Sequence, residues 1–119
     1  MVFFRSGAVA LDDAGRLLTG RGLRVGKNGT ELAVQWNDGP VLRIRYASDT
    51  RVATEAREIS ARTPHAGPMS QCNARFEIAI PDLETALDEM NTLMEVQMTL
   101  QEATGGYLFC GWNRALTGP

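Results

Sequence analysis

The chain has 119 residues, 44% hydrophobic and 22% charged, with a formal net charge of −2 at pH 7. That length suits one domain whose core needs no disulfide or metal staple. No run reaches the roughly 18 unbroken apolar residues of a membrane span, and an acidic balance disfavours a nucleic-acid ligand.

Charge is unevenly spread. Residues 1–75 carry a net +4 and residues 76–119 a net −6. The basic residues are eleven arginines and a single lysine, Lys27, a bias typical of coding in a GC-rich bacterial genome. The opening Met1-Val2-Phe3-Phe4-Arg5 lacks the basic-then-apolar form of a secretion signal, so a cytoplasmic location and reduced thiols at Cys72 and Cys110 are expected.

Phe3-Phe4 and Ala8 to Leu11 read as an opening strand region. Asp12-Asp13-Ala14-Gly15 has the composition of a turn, and Leu17-Leu18 could pair back as a short strand. Leu23 to Tyr46 carries the clearest β pattern. Asn28-Gly29 is a preferred type I′ hairpin dipeptide. A two-residue turn there sets Val25 opposite Leu32 and Leu23 opposite Val34. At the next turn, a three-residue Asp38-Gly39-Pro40 loop pairs Trp36 with Leu42, Val34 with Ile44 and Leu32 with Tyr46. One face of this meander is then apolar. The other carries Arg24, Ala33, Gln35, Arg43 and Arg45, without the interleaved aromatics of an RNA-stacking sheet.

Ser48-Asp49 caps a helix over about 49–61, with Val52, Ala56 and Ile59 inward and an Arg51–Glu55 pair outward. Thr63-Pro64 stops it. Residues 63–73 form a loop long for a small domain, holding His65, Cys72 and Asn73. Residues 75–80 alternate as a strand with Phe76, Ile78 and Ile80 inward. Asn113 to Pro119 reads as a tail.

The dominant stretch is 82–112. Pro81-Asp82 opens a helix over 82–103, Glu84 suits its positive end, and Gly105-Gly106 closes it. Leu83, Leu87, Met90 and Met94 form one stripe, extended by Met98; Leu93, Val96, Leu100 and Ala103 form a second. Glu84, Asp88, Asn91, Thr92, Glu95, Thr99 and Glu102 take the opposite face. The apolar arc is wider than one contact with a sheet requires. The strand over 106–112, including Tyr107-Leu108-Phe109-Cys110-Gly111-Trp112, has no polar face, so it calls for cover on both sides.

Two functional expectations follow. The first is a non-catalytic interaction protein that forms a homodimer, or docks on another protein, through the acidic helix and last strand. Its interface candidates are Leu93, Met94, Val96, Met98, Leu100, Tyr107 and Phe109. The second is a small-molecule or enzymatic pocket where the 63–73 loop meets the end of the long helix, with His65, Cys72, Gln97, Gln101 and Trp112 as candidates. Gln97 and Gln101 sit one turn apart and need partners if buried; capping a neighbouring strand edge is one way to supply them. A Cys72–His65 nucleophile oriented by Asn73 is the sole catalytic grouping the residue types allow, and no local signature surrounds it. One histidine and two cysteines are too few for a structural zinc site. No metal, cofactor, membrane or nucleic-acid partner is expected. The element order predicts an α+β fold: an antiparallel, possibly mixed, sheet of about five strands with two helices packed on one face. The last β-α-β segment allows a parallel pair or a split arrangement.

Overall fold

A computed structural model describes the chain except for residues 8, 37–40, 81–83, 85–89 and 111–113. The described strands are β1 (Val2–Phe4), β2 (Arg24–Asn28), β3 (Glu31–Gln35), β4 (Leu42–Ala47), β5 (Ala74–Ala79), β6 (Tyr107–Cys110) and β7 (Ala115–Thr117). The described helices are α1 (Leu11–Gly20), α2 (Thr50–Ser60), α3 (Ala66–Met69) and α4 (Met90–Thr104). The strands form one sheet in the order β2-β3-β4-β5-β1-β6-β7, with every neighbour antiparallel.

The α+β class is as the sequence predicts, with seven strands rather than about five. The helices divide between the two faces of the sheet. Successive residues of β1 point to opposite sides. Val2 and Phe4 enter a core that contains Leu18 of α1 with Val96 and Leu100 of α4. Phe3 enters a second core with Val52 and Ala56 of α2, Met69 and Cys72. β1 is buried from end to end because it is the partition between these two cores. It also separates β5 from β6, which run parallel to each other, so the last β-α-β segment is split.

The segment over residues 11–20 is helical, neither turn nor strand. Leu11, Ala14 and Leu18 recur at helical spacing and face the first core, where Ala14 and Leu18 are buried. Asp12 and Asp13 occupy the first turn, where the macrodipole favours carboxylates. An oxygen of Asp13 accepts from the Ala10 N–H at 3.1 Å, and Arg16 also donates to Asp13. These hydrogen bonds, the backbone one foremost, hold the Asp13 carboxyl below its ordinary range.

Both meander registers are shifted by two residues from expectation. Val25 faces Val34 and Asn28 faces Glu31, so the hairpin loop is Gly29-Thr30, with Gly29 at φ 63°. A glycine of positive φ in the first central position fits a type II′ turn. On the other side, Val34 faces Leu42 and Leu32 faces Ile44. Side chains alternate with period two, so a two-residue slip leaves every residue on its own face. Trp36 therefore does not pair with Leu42. The Asp38-Gly39-Pro40 loop lies outside the described residues.

α2 starts as expected, with Asp49 Oδ1 accepting from the Val52 N–H at 3.1 Å. Glu55 does not pair with Arg51. It pairs across the second core with Arg75, which also binds Glu77 at 2.7 Å. The 63–73 segment contains the short α3, whose Met69 is buried. The expected tail contributes β7, which pairs with β6.

α4 is rolled relative to its predicted orientation. Thr92 and Thr99, expected in solvent, are buried, while Met94 and Met98 are exposed. α1 packs beside α4 on the same face of the sheet, and Arg21 at its end reaches Glu95 and Glu102. A chain read without α1 leaves the threonine flank of α4 facing water. The Pro81-Asp82 cap, Leu83, Leu87 and Asp88 lie outside the described residues; Glu84 is helical.

Candidate functional site

The seven interface candidates separate into two groups. Leu93, Val96, Leu100 and Phe109 are buried within the chain's own cores, and Tyr107 is partly buried. The two-sided cover demanded by the last strand is internal: Leu108 packs on the α4 side and Phe109 on the α2 side. Arg114 further covers Phe109, its guanidinium carbon 5.7 Å from the ring centre. Met94 and Met98 remain outside, 48% and 51% exposed. They are four residues apart, hence one turn apart on the same stripe.

The charges beside this stripe are partly balanced, one guanidinium between two carboxylates. Arg21 Nη1 lies 3.6 Å from Glu95, and Nη2 lies 3.3 Å from Glu102. Glu95, Met98 and Glu102 share one flank of α4 at helical spacing. The acidic face expected from the sequence is thus partly neutralised by a residue of α1. Leu17, one turn before Arg21, is 44% exposed.

At the same end of α1, Trp36 is 45% exposed and closes a cleft of about 300 Å³. Arg21, Leu23, Asn91, Thr92 and Glu95 form the rest of its wall. The Trp36 ring lies against Gly22, where an added Cβ would stand 3.4 Å from it. Nothing in the sequence pattern singles out this cleft. Its one available signal is the Leu11, Ala14, Leu18 spacing, which would have revealed α1 and hence the neighbours of Arg21.

The pocket candidates are only partly brought together. Gln101 Nε2 lies within hydrogen-bond distance of the carbonyls of Gly106, Thr117 and Gly118, at 3.3, 3.1 and 3.1 Å. It ties the helix end to β7, the strand-edge role foreseen for it. Gln97 is half-buried on the same flank. His65 packs its ring on Tyr107, with centroids 5.4 Å apart, and against Gly118. Asn73 does not orient it: the Asn73 amide accepts from Ser6 N–H at 2.7 Å and donates to Ser6 Oγ at 3.0 Å. Trp112 lies outside the described residues.

Cys72 is buried beside Met69 and Phe3. Burial pushes its thiol above the ordinary range, and the charge of Arg5 opposes that only in part. A buried thiol with a raised pKa is a poor nucleophile. Cys72 nevertheless lies at the floor of a cavity of about 280 Å³ that reaches Thr104, Gly105, Gly106 and Tyr107. This is where the 63–73 segment meets the end of the long helix.

On the open sheet face, Arg24 and Arg43 are exposed. Arg45 is paired with Glu31 at 2.8 Å, and Arg75 is enclosed by Glu55 and Glu77. Among the described residues, no group of three or more His, Cys, Asp or Glu side chains is arranged to hold a metal ion, and no helix is long and apolar enough to cross a membrane. No protein-family model, curated protein or solved structure matches the chain.

Proposed function

We propose that the protein is a non-catalytic interaction module that forms a homodimer through the outer face of α4. The observation that supports this is the exposure of Met94 and Met98 on one stripe of a helix whose opposite side, Val96 and Leu100, is buried in the first core. A two-fold axis near the middle of that stripe would set Met94 of one copy against Met98 of the other, and the reverse, as an isologous contact requires. Methionine suits such a surface because its flexible thioether adapts to the opposing side chain. Arg21 serves the same end. Without it, Glu95 and Glu102 of two copies would face like charges across the axis; with it, both carry a counter-charge.

Sedimentation equilibrium at micromolar concentration tests this reading. The expected mass is twice the 13.0 kDa of the chain. Met98→Glu and the double change with Met94→Glu should give monomers with an unchanged melting temperature, since both side chains are exposed. A monomeric wild-type chain, or a dimer indifferent to both substitutions, removes the proposal.

A further inference from the structure

We infer that the cavity between β1, α3 and the end of α4 is a binding site for a small organic carboxylate with an apolar body. It shares no lining residue with the α4 face and does not depend on the dimer.

The walls determine the kind of ligand. Phe4 and Cys72, both buried, make an apolar floor. Pro68 and the Tyr107 ring form the sides, and His65 holds that ring in place. At about 280 Å³, the space is slightly below the usual range of drug-sized sites, roughly 300–1,000 Å³. It admits a compact molecule on the scale of a single ring.

The charge determines the polar end. Arg5 is the charged residue of the lining, which contains no aspartate or glutamate. Among the described residues, Arg5 makes no ion pair. Arg5 is exposed on the lining, and its charge acts on Cys72 within the same cavity. A guanidinium beside an apolar surface matches a carboxylate in both charge and planar two-oxygen geometry.

The remaining wall is the end of α4. The end of a helix normally offers free carbonyls that repel an anion. Here the carbonyl of Gln101 is engaged. Thr104 Oγ1 donates to the carbonyls of Leu100 and Gln101 at 2.8 and 3.3 Å, and accepts from Gly106 N–H at 3.1 Å. The Gly106 N–H also reaches Gln101 O at 3.2 Å, while Gln101 Nε2 reaches the Gly106 carbonyl. The exposed Gln71 amide lies on the lining as an additional donor toward the carboxylate.

The test is an NMR titration of the full chain with benzoate, using benzamide as the neutral isostere and phenyl phosphate as the alternative anion. Benzoate should saturate and shift the backbone signals of Arg5, Gln71, Cys72 and Tyr107. Benzamide should bind at least tenfold more weakly. Arg5→Gln, an exposed substitution checked for an unchanged melting temperature, should weaken benzoate by a similar factor and leave benzamide unaffected. Absence of saturable shifts, equal binding of benzoate and benzamide, equal binding to the variant, or tighter binding of phenyl phosphate would each overturn the assignment.

Discussion

A Cβ placed on Gly106 would collide with the backbone carbonyl of Phe3. The turn out of α4 thus runs tightly against the edge of β1, the strand that divides the two cores. Gly106 is required for space and not for conformation, since its φ is not in the left-handed region. Gly106→Ala should therefore force β1 and β6 apart and cost about 3 kcal/mol, the upper part of the range for overpacking. Gly15, inside α1, makes the opposite case. A Cβ there would meet Leu32 and Val25 at 3.6 Å, an ordinary contact. Gly15→Ala should stabilise by roughly 0.5–1 kcal/mol through helix propensity and lost chain entropy. Urea denaturation of the two variants measures both signs.

The β2–β3 register makes a separate claim. With Gly29 at φ 63° in the first loop position, Gly29→Ala should cost about 1 kcal/mol. Asn28 is a strand residue opposite Glu31. Asn28→Thr should then be neutral or slightly stabilising, because threonine favours strands. A type I′ turn centred on Asn28-Gly29 would reverse that result, as a β-branched residue there would be forced to positive φ.

These registers mark how far the sequence could be read. Alternation of apolar residues correctly assigned faces for Val25, Leu32, Val34, Leu42 and Ile44, because burial acts on the parity of the strand. It could not separate registers that differ by two, since both bury the same set. α1 was hidden by its composition: two aspartates and a glycine suggest a turn, yet the aspartates suit a helix start and the glycine is buried within the helix against β3. Missing α1 had a distant consequence. It left Thr92 and Thr99 without a neighbour and placed them on the solvent face. In the pocket, the meeting of the 63–73 segment with the helix end was legible from chain order, but Arg5 was not. Its position depends on β1 lying between β5 and β6, a long-range pairing that no local pattern encodes.

Arg75 joins the second core to the sheet. Its side chain is 10% exposed and binds Glu55 and Glu77, each about a third exposed. Burial alone would lower the guanidinium pKa; hydrogen bonds to the two carboxylates outweigh it and raise the net value. Arg75→Met should cost about 2 kcal/mol, less than the 3–5 kcal/mol of a fully buried pair because water reaches the carboxylates. Adding Glu55→Gln to that variant should recover part of the loss by removing one of two like charges. Chemical denaturation at pH 7 of the single and double variants completes the comparison.

If Arg21 screens Glu95 and Glu102 across a dimer axis, Arg21→Gln should weaken association without unfolding the chain. The repulsion it exposes is between solvent-facing carboxylates, so raising salt from 0.05 to about 0.5 M should restore much of the affinity by shortening the screening length. Sedimentation at the two salt concentrations reads this directly. The wild-type dimer, dominated by Met94 and Met98, should change little or tighten slightly with salt.

Cys72 links thiol chemistry to stability. In the folded chain its pKa is raised above the ordinary 9.0, chiefly by burial. The unfolded chain therefore releases this proton first as pH rises. The contribution of Cys72 to stability is complete below that value and declines as pH increases beyond it, since the unfolded state then holds fewer protons than the folded one. Cys72→Ala should cost about 1 kcal/mol at pH 7 for the lost packing in the second core. Its urea midpoint should also fall less steeply than that of the wild type between pH 8.5 and 10.5, and the difference between the two curves isolates the thiol from every other titrating group. In parallel, iodoacetamide at pH 8 should modify Cys72 roughly a hundredfold more slowly in the native protein than in urea, because attack requires both local opening and the minor thiolate form. A midpoint difference that is flat with pH, together with rapid native alkylation, would place Cys72 in water rather than beneath the cavity floor.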